Sequence, residues 1–147
     1  MLQRKAHRSP APVLDRAGAP WRLLVESPDP VMAVSDFDVY HRAGFDVTVC
    51  EGPGDDTTDC PVVRGEPCPL VTEADVVLFD LDSDPPRRGE VLAAMRADRP
   101  ELPIVVCSTA PAPTAASGCP AIRPTTSVNG QVSALRRAVL RWPGLQS

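Results

Sequence analysis

Four short apolar runs constrain this chain more than any other feature. Residues 21–26 (WRLLVE), 45–50 (FDVTVC), 75–80 (DVVLFD) and 102–107 (LPIVVC) each have the length of a single strand. Runs this continuously apolar read as strands buried on both faces, the pattern of a parallel sheet covered by helices. The segments between them supply candidate helices. Residues 31–43 carry Val31, Val34, Phe37 or Asp38, and Tyr40 at helical spacing, with Pro30 suited to the first turn and Gly44 to the position after the last. Residues 87–99 place Val91, Leu92 and Met95 on one face. Residues 128–142 carry Val128, Val132, Leu135, Val139 and Trp142 as an inner stripe, with Ser127 as N-cap. A short fifth strand is expected near residues 120–122. Strand, helix, strand within about 30 residues is the span of a βαβ unit, so the expected architecture is a doubly wound α/β sheet.

Proline limits how regular that architecture can be. The chain holds 18 prolines, each of which removes a backbone donor and disfavours a helix interior. Between residues 51 and 72 lie Gly52, Pro53, Gly54, Pro61, Gly65, Pro67 and Pro69, which leave no window for a normal helix. A long irregular connection is expected there in place of a second helix, and loops of that length usually have a task. The stretch between Ser108 and Arg123 is equally broken by Pro111, Pro113, Gly118 and Pro120. It predicts a loop or a single helical turn in place of a full helix.

Residues 1–20 show no apolar periodicity and carry four basic residues against one acid, leaving 11 basic and 18 acidic residues in the rest. The chain therefore divides into an expected disordered basic leader (1–20), one folded domain (21–143) and a short tail (144–147). The acidic domain repels phosphate backbones, so nucleic acid is not the expected partner. No apolar run is long enough to span a bilayer, and no apolar stretch follows Arg4, Lys5 and Arg8 as in a secretory signal. A cytoplasmic location away from membranes is the expectation. Lys5 is the only lysine in the sequence.

In an open parallel sheet, chemistry gathers at the C-terminal ends of the strands. Here those ends are Glu26, Cys50, Asp80, Ser108 and Arg123. Two carboxylates, a hydroxyl and a cation at neighbouring strand ends suit a divalent ion and a phosphoryl group. At these residues the chain resembles a known family. LLVE (23–26), GFDV (44–47), DVVLFD (75–80), LPIVV (102–106) with Ser108, and IRP (122–124) fall in the order and spacing of response-regulator receiver domains. The resemblance covers residues 21–142 and implies a flavodoxin-like, five-stranded sheet of order 2-1-3-4-5.

The resemblance makes Asp80 the phospho-acceptor candidate and Glu26 the first of two Mg²⁺-binding acids. Ser27 falls where the second acid belongs, and Asp29 is the nearest carboxylate that could replace it. Glu26, Asp80 and Asp29 are thus the implied Mg²⁺ ligands. Ser108 matches the switch hydroxyl. Arg123 stands where the family keeps a lysine, and a planar, longer guanidinium is not a conservative replacement. In the family, the fourth helix, last strand and last helix form the output surface, and here that fourth helix is expected to be shortened. The implied function is a stand-alone signalling module of a two-component-type pathway, with degenerate phosphorylation chemistry and no enzymatic turnover. Its partner would be a protein, either a histidine kinase or a separate effector.

Two alternatives stay open at this level. Asp80 would be a working phospho-acceptor if Glu26 holds Mg²⁺. The five cysteines offer the other: Cys60 and Cys68, each followed by proline and flanking Gly65, could remain thiols, close a disulfide, or join Cys50 in a metal site that senses redox state or metal. The run FDLDS (79–83) also resembles the first motif of haloacid-dehalogenase-type phosphatases. Those enzymes need a lysine and a late acidic pair; the domain has no lysine, and no acid follows Glu101.

Overall fold

The computed structural model describes residues 18–54, 56–81, 85–109, 116 and 118–141. Its elements run β1 (Arg22–Glu26), α1 (Pro30–Arg42), β2 (Asp46–Cys50), α2 (Pro69–Glu73), β3 (Val76–Asp80), α3 (Pro85–Asp98), β4 (Ile104–Cys107), β5 (Ala121–Ile122) and α4 (Val128–Arg141). The five strands form one parallel sheet in the order β2-β1-β3-β4-β5. The doubly wound α/β sheet expected from the apolar runs is therefore present.

Alternation along the strands sorts the core into two layers. Leu23, Val25, Val76, Leu78 and Val105 face α1 and α4, where they meet Tyr40, Phe45, Val132, Leu135 and Val139. Leu24, Val77, Phe79, Ile104 and Val106 face the other way, onto Val71, Val91, Leu92 and Met95. Side chains of this size contribute roughly 1.5–3 kcal/mol each when fully buried, which is why β1, β3 and β4 tolerate so little polarity before their last residues.

Three expectations need correction. The apolar face of α1 is only partly the predicted one: Tyr40 is buried as expected, but Val31 and Val34 are 76% and 73% exposed, and Phe37 is also exposed, stacked on His41. Beside Tyr40 the helix buries Ala33, with Ala43 just past its end. Small alanines let it approach the sheet, while the Tyr40 ring meets Phe45 edge-on and its hydroxyl bonds Gln131 of α4. Those two anchors set the helix rotation.

The segment between β2 and β3 is not wholly irregular. It contains a 3-10 turn at Thr57–Asp59 and the one-turn helix α2, which begins at Pro69, where a missing N–H does no harm. The guanidinium of Arg99 donates to the carbonyls of Val71 (2.7 Å), Thr72 (3.2 Å) and Ala74 (2.8 Å), closing the end of this short helix from outside. The third correction concerns α4, whose first apolar residue, Val128, is exposed, so the inner stripe starts at Val132.

The tail, most of the expected leader and the expected shortened helix before β5 lie outside the described residues, as does Trp142. Among the described residues, no helix is long and apolar enough to cross a membrane.

Candidate functional site at the strand ends

Because all five strands run the same way, their C-terminal residues assemble at one end of the sheet. Glu26 lies beside Cys50 on one flank and Phe79 on the other, and Asp80 lies beside Cys107. A pocket opens here on the α1/α4 side, lined among others by Glu26, Asp36, Tyr40, Asp80, Cys107 and Pro124. The strand register brings Glu26 and Asp80 to it, and the inner face of α1 brings Asp36 and Tyr40.

Glu26 is the most constrained of these groups. It is only 4% exposed, and its Oε2 accepts from Nη1 of Arg88 at 3.2 Å, in an ion pair buried on both sides. The Cys50 thiol is hydrogen-bonded to the same carboxylate. Burial pushes the Glu26 carboxyl above its ordinary value, and the Arg88 charge pulls it back only in part. Burial and the neighbouring Glu26 charge together push the Cys50 thiol up to about 12, so Cys50 stays protonated.

Arg88 reaches Glu26 from the first turns of α3. Its Nη2 donates to the carbonyl of Glu51 at 2.7 Å, and its Cζ lies 6.0 Å from the centre of the Phe79 ring. The backbone of Gly52 passes so close that a Cβ there would sit 2.6 Å from Nη1. One side chain thus ties together the ends of β1, β2 and β3.

Asp80 shares the pocket with a second carboxylate that the sequence reading missed. Burial first, and the charge of Asp80 second, raise Asp36 from 3.8 to about 6. Its folded pKa lies above the unfolded one, so its protonation favours the fold. That contribution is fully present below about 4 and is lost as pH rises through about 6. A shift of this size, discounted because Asp36 is only half-buried, corresponds to about 1 kcal/mol. Asp36→Asn should therefore raise the unfolding free energy, read from the urea midpoint and slope, by about that much at alkaline pH and leave it unchanged at strongly acidic pH. An equal gain at both pH values would show that the carboxylate is not under strain.

The other candidate residues are placed as follows. Ser27 is 2% exposed, and its Oγ has no hydrogen-bond partner among the described residues. Asp29 is the N-cap of α1, its Oδ1 accepting from the N–H of Val31 at 2.9 Å and of Met32 at 3.5 Å. Ser108 is half-buried after β4, its N–H donating to the carbonyl of Ile122 at 3.1 Å. Arg123 is exposed at the turn before α4. Cys60 and Cys68 are thiols packed at the edge of the α3-side core.

Of the three carboxylates expected to hold Mg²⁺, two are thus engaged by other groups: Glu26 holds Arg88 and Cys50, and Asp29 holds backbone N–H groups, while Asp80 shares its pocket with Asp36. Among the described residues no group of three or more His, Cys, Asp or Glu side chains gathers at one place. Glu26 and Asp29, engaged in this way, do not fit the ion in the arrangement the family resemblance implied.

No protein-family model matches the chain, and no curated protein matches it either. Solved structures do. A chemotaxis protein from Vibrio cholerae matches at a TM-score of 0.60 and 13% identity, over 80% of this chain and 98% of that one. A CheY-like response regulator receiver domain protein from Methanospirillum hungatei matches at 0.62 and 14%, over 83% and 95%. The fold is that of a response-regulator receiver domain. The same receiver fold also matches a protein assigned to pilus assembly, from Burkholderia thailandensis, at a TM-score of 0.64 and 18% identity, over 82% and 99% of the two chains.

Within the receiver frame, the missed residues are Asp36, Arg88 and Gly52. Asp36 was legible in principle: it lies three residues after Ala33 and four before Tyr40, on the face that α1 buries. Nothing in the sequence marks Arg88 as an arginine that turns inward.

Proposed function

We propose that this chain is a receiver-like signalling module of a two-component-type pathway that acts by binding a protein partner, without turnover and with weakened phosphorylation chemistry at Asp80. The observation that carries this reading is the pairing of a receiver fold with an altered acidic end. Asp80 ends β3, where the resemblance puts the acceptor, while Ser27 falls where it puts an acid and Glu26 is paired with Arg88. The partner is a histidine kinase or a separate effector; the acidic balance of the domain disfavours nucleic acid.

A small phosphodonor with Mg²⁺, followed by intact mass, tests the reading. The expected result is no phosphoryl adduct on the wild-type chain. An adduct that disappears in Asp80→Asn would instead make the chain a working phospho-acceptor, with Ser108 and Arg123 as its phosphate-contacting groups.

A further inference from the structure

The misfit between the acidic end and a divalent ion has a positive side, because the place is already filled. We propose that the guanidinium of Arg88 is the resident cation at Glu26, and that by occupying this carboxylate it keeps a divalent metal ion from binding at this end of the sheet. The inference shares with the proposed function only the placement of the strand ends, and it holds whatever the partner is.

Four independent features receive that one charge. Glu26 accepts from Nη1 at 3.2 Å, with both side chains about 95% buried. The Glu51 carbonyl accepts from Nη2 at 2.7 Å. The Phe79 ring lies beneath the cation, with its centre 6.0 Å from Cζ. Gly52 adopts φ +79° and leaves out the one atom, a Cβ, that would occupy the guanidinium's space. A planar fork with five donors is matched to this receptor, which reaches it from the ends of three strands.

A dication seeking Glu26 would have to displace Arg88, leaving a buried positive charge without its counter-ion. Mg²⁺ also dehydrates reluctantly and depends on one or two available carboxylates. The adjacent side chain, Ser27, is neutral, and its buried Oγ cannot supply the missing charge.

The test is a Mg²⁺ titration of the full, chelator-stripped chain, followed by amide ¹⁵N–¹H NMR and by thermal melting. The expected wild-type result is no saturable shift at Glu26, Ser27, Asp36 or Asp80 and the same melting temperature in chelator and in excess Mg²⁺. A saturable shift at those amides, lost in Glu26→Gln or in Asp80→Asn, overturns the proposal. Folded Arg88→Gln should acquire a saturable, Glu26-dependent Mg²⁺ response; if it stays silent, Arg88 is not what excludes the ion, and the proposal falls. Where Arg88→Gln does not fold, the wild-type titration decides alone. Failure here is distinguishable from failure of the proposed function. Mg²⁺ binding with no phosphoryl adduct removes the resident cation and spares the partner-binding reading, and an adduct on a chain that ignores Mg²⁺ does the reverse.

Discussion

Arg88→Met is expected to lower the unfolding free energy by about 3–5 kcal/mol, because it strands the Glu26 carboxylate in a buried place with its main counter-charge gone. The remaining partner of that carboxylate, the Cys50 thiol, is a weak donor and carries no charge. Glu26→Leu alone should also be costly, since it leaves the guanidinium unpaired against the Phe79 ring. The double variant separates attraction from burial. With both charges removed and apolar groups of similar size in their place, stability should return to within about 1–2 kcal/mol of wild type. Urea unfolding of the four proteins with unchanged slopes gives the coupling directly. Additive losses would mean that the two groups reach water independently, and the buried geometry would then be wrong.

The fold was legible to the extent that it rests on periodicity. Continuous apolar runs such as VVLF at 76–79, short and rich in β-branched residues, read as strands covered on both faces, and their ends place Asp80 with little freedom. The face of α1 was not legible in the same way. Tyr40 is buried as its spacing suggests, but Val31, Val34 and Phe37 are more apolar than the buried Ala33, so a hydrophobicity count adds three residues that face solvent. What decides the rotation is close approach by alanine and the Tyr40–Gln131 bond, a partnership across 91 residues. Asp29 carries a local signal of its own: an aspartate directly before a proline at the first helical position is an N-cap before it is a metal ligand. Pro69 likewise begins α2, although prolines in that stretch had pointed only to irregular chain. The site's chemistry was the least legible part. Arg88 and Glu26 lie 62 residues apart, and nothing in the spacing of either foretells that a helix from beyond β3 reaches back over the ends of β1 and β2.

Gly52→Ala should be the most damaging single methyl group that the chain can accept at a glycine of the β2–α2 connection, at about 2–4 kcal/mol. Part of that is backbone: a non-glycine residue in a left-handed conformation costs roughly 1–2 kcal/mol. The rest is the guanidinium, since the new Cβ would lie 2.6 Å from Nη1, 2.8 Å from Nη2 and 2.9 Å from Cζ of a side chain held by Glu26 and Glu51. Gly65 provides the control. It has nearly the same backbone angle, φ +75°, with nothing within 4 Å of its Cβ position, so Gly65→Ala isolates the backbone part. The excess of Gly52→Ala over Gly65→Ala then measures the displacement of Arg88. That excess should vanish when both alanine variants are compared in the Arg88→Met background, where there is no guanidinium to displace. Equal losses at the two glycines in the wild-type background would show that Arg88 gives way freely. Arg88 would then be a flexible surface arginine, and the acidic end of the sheet would have no fixed cation at its centre.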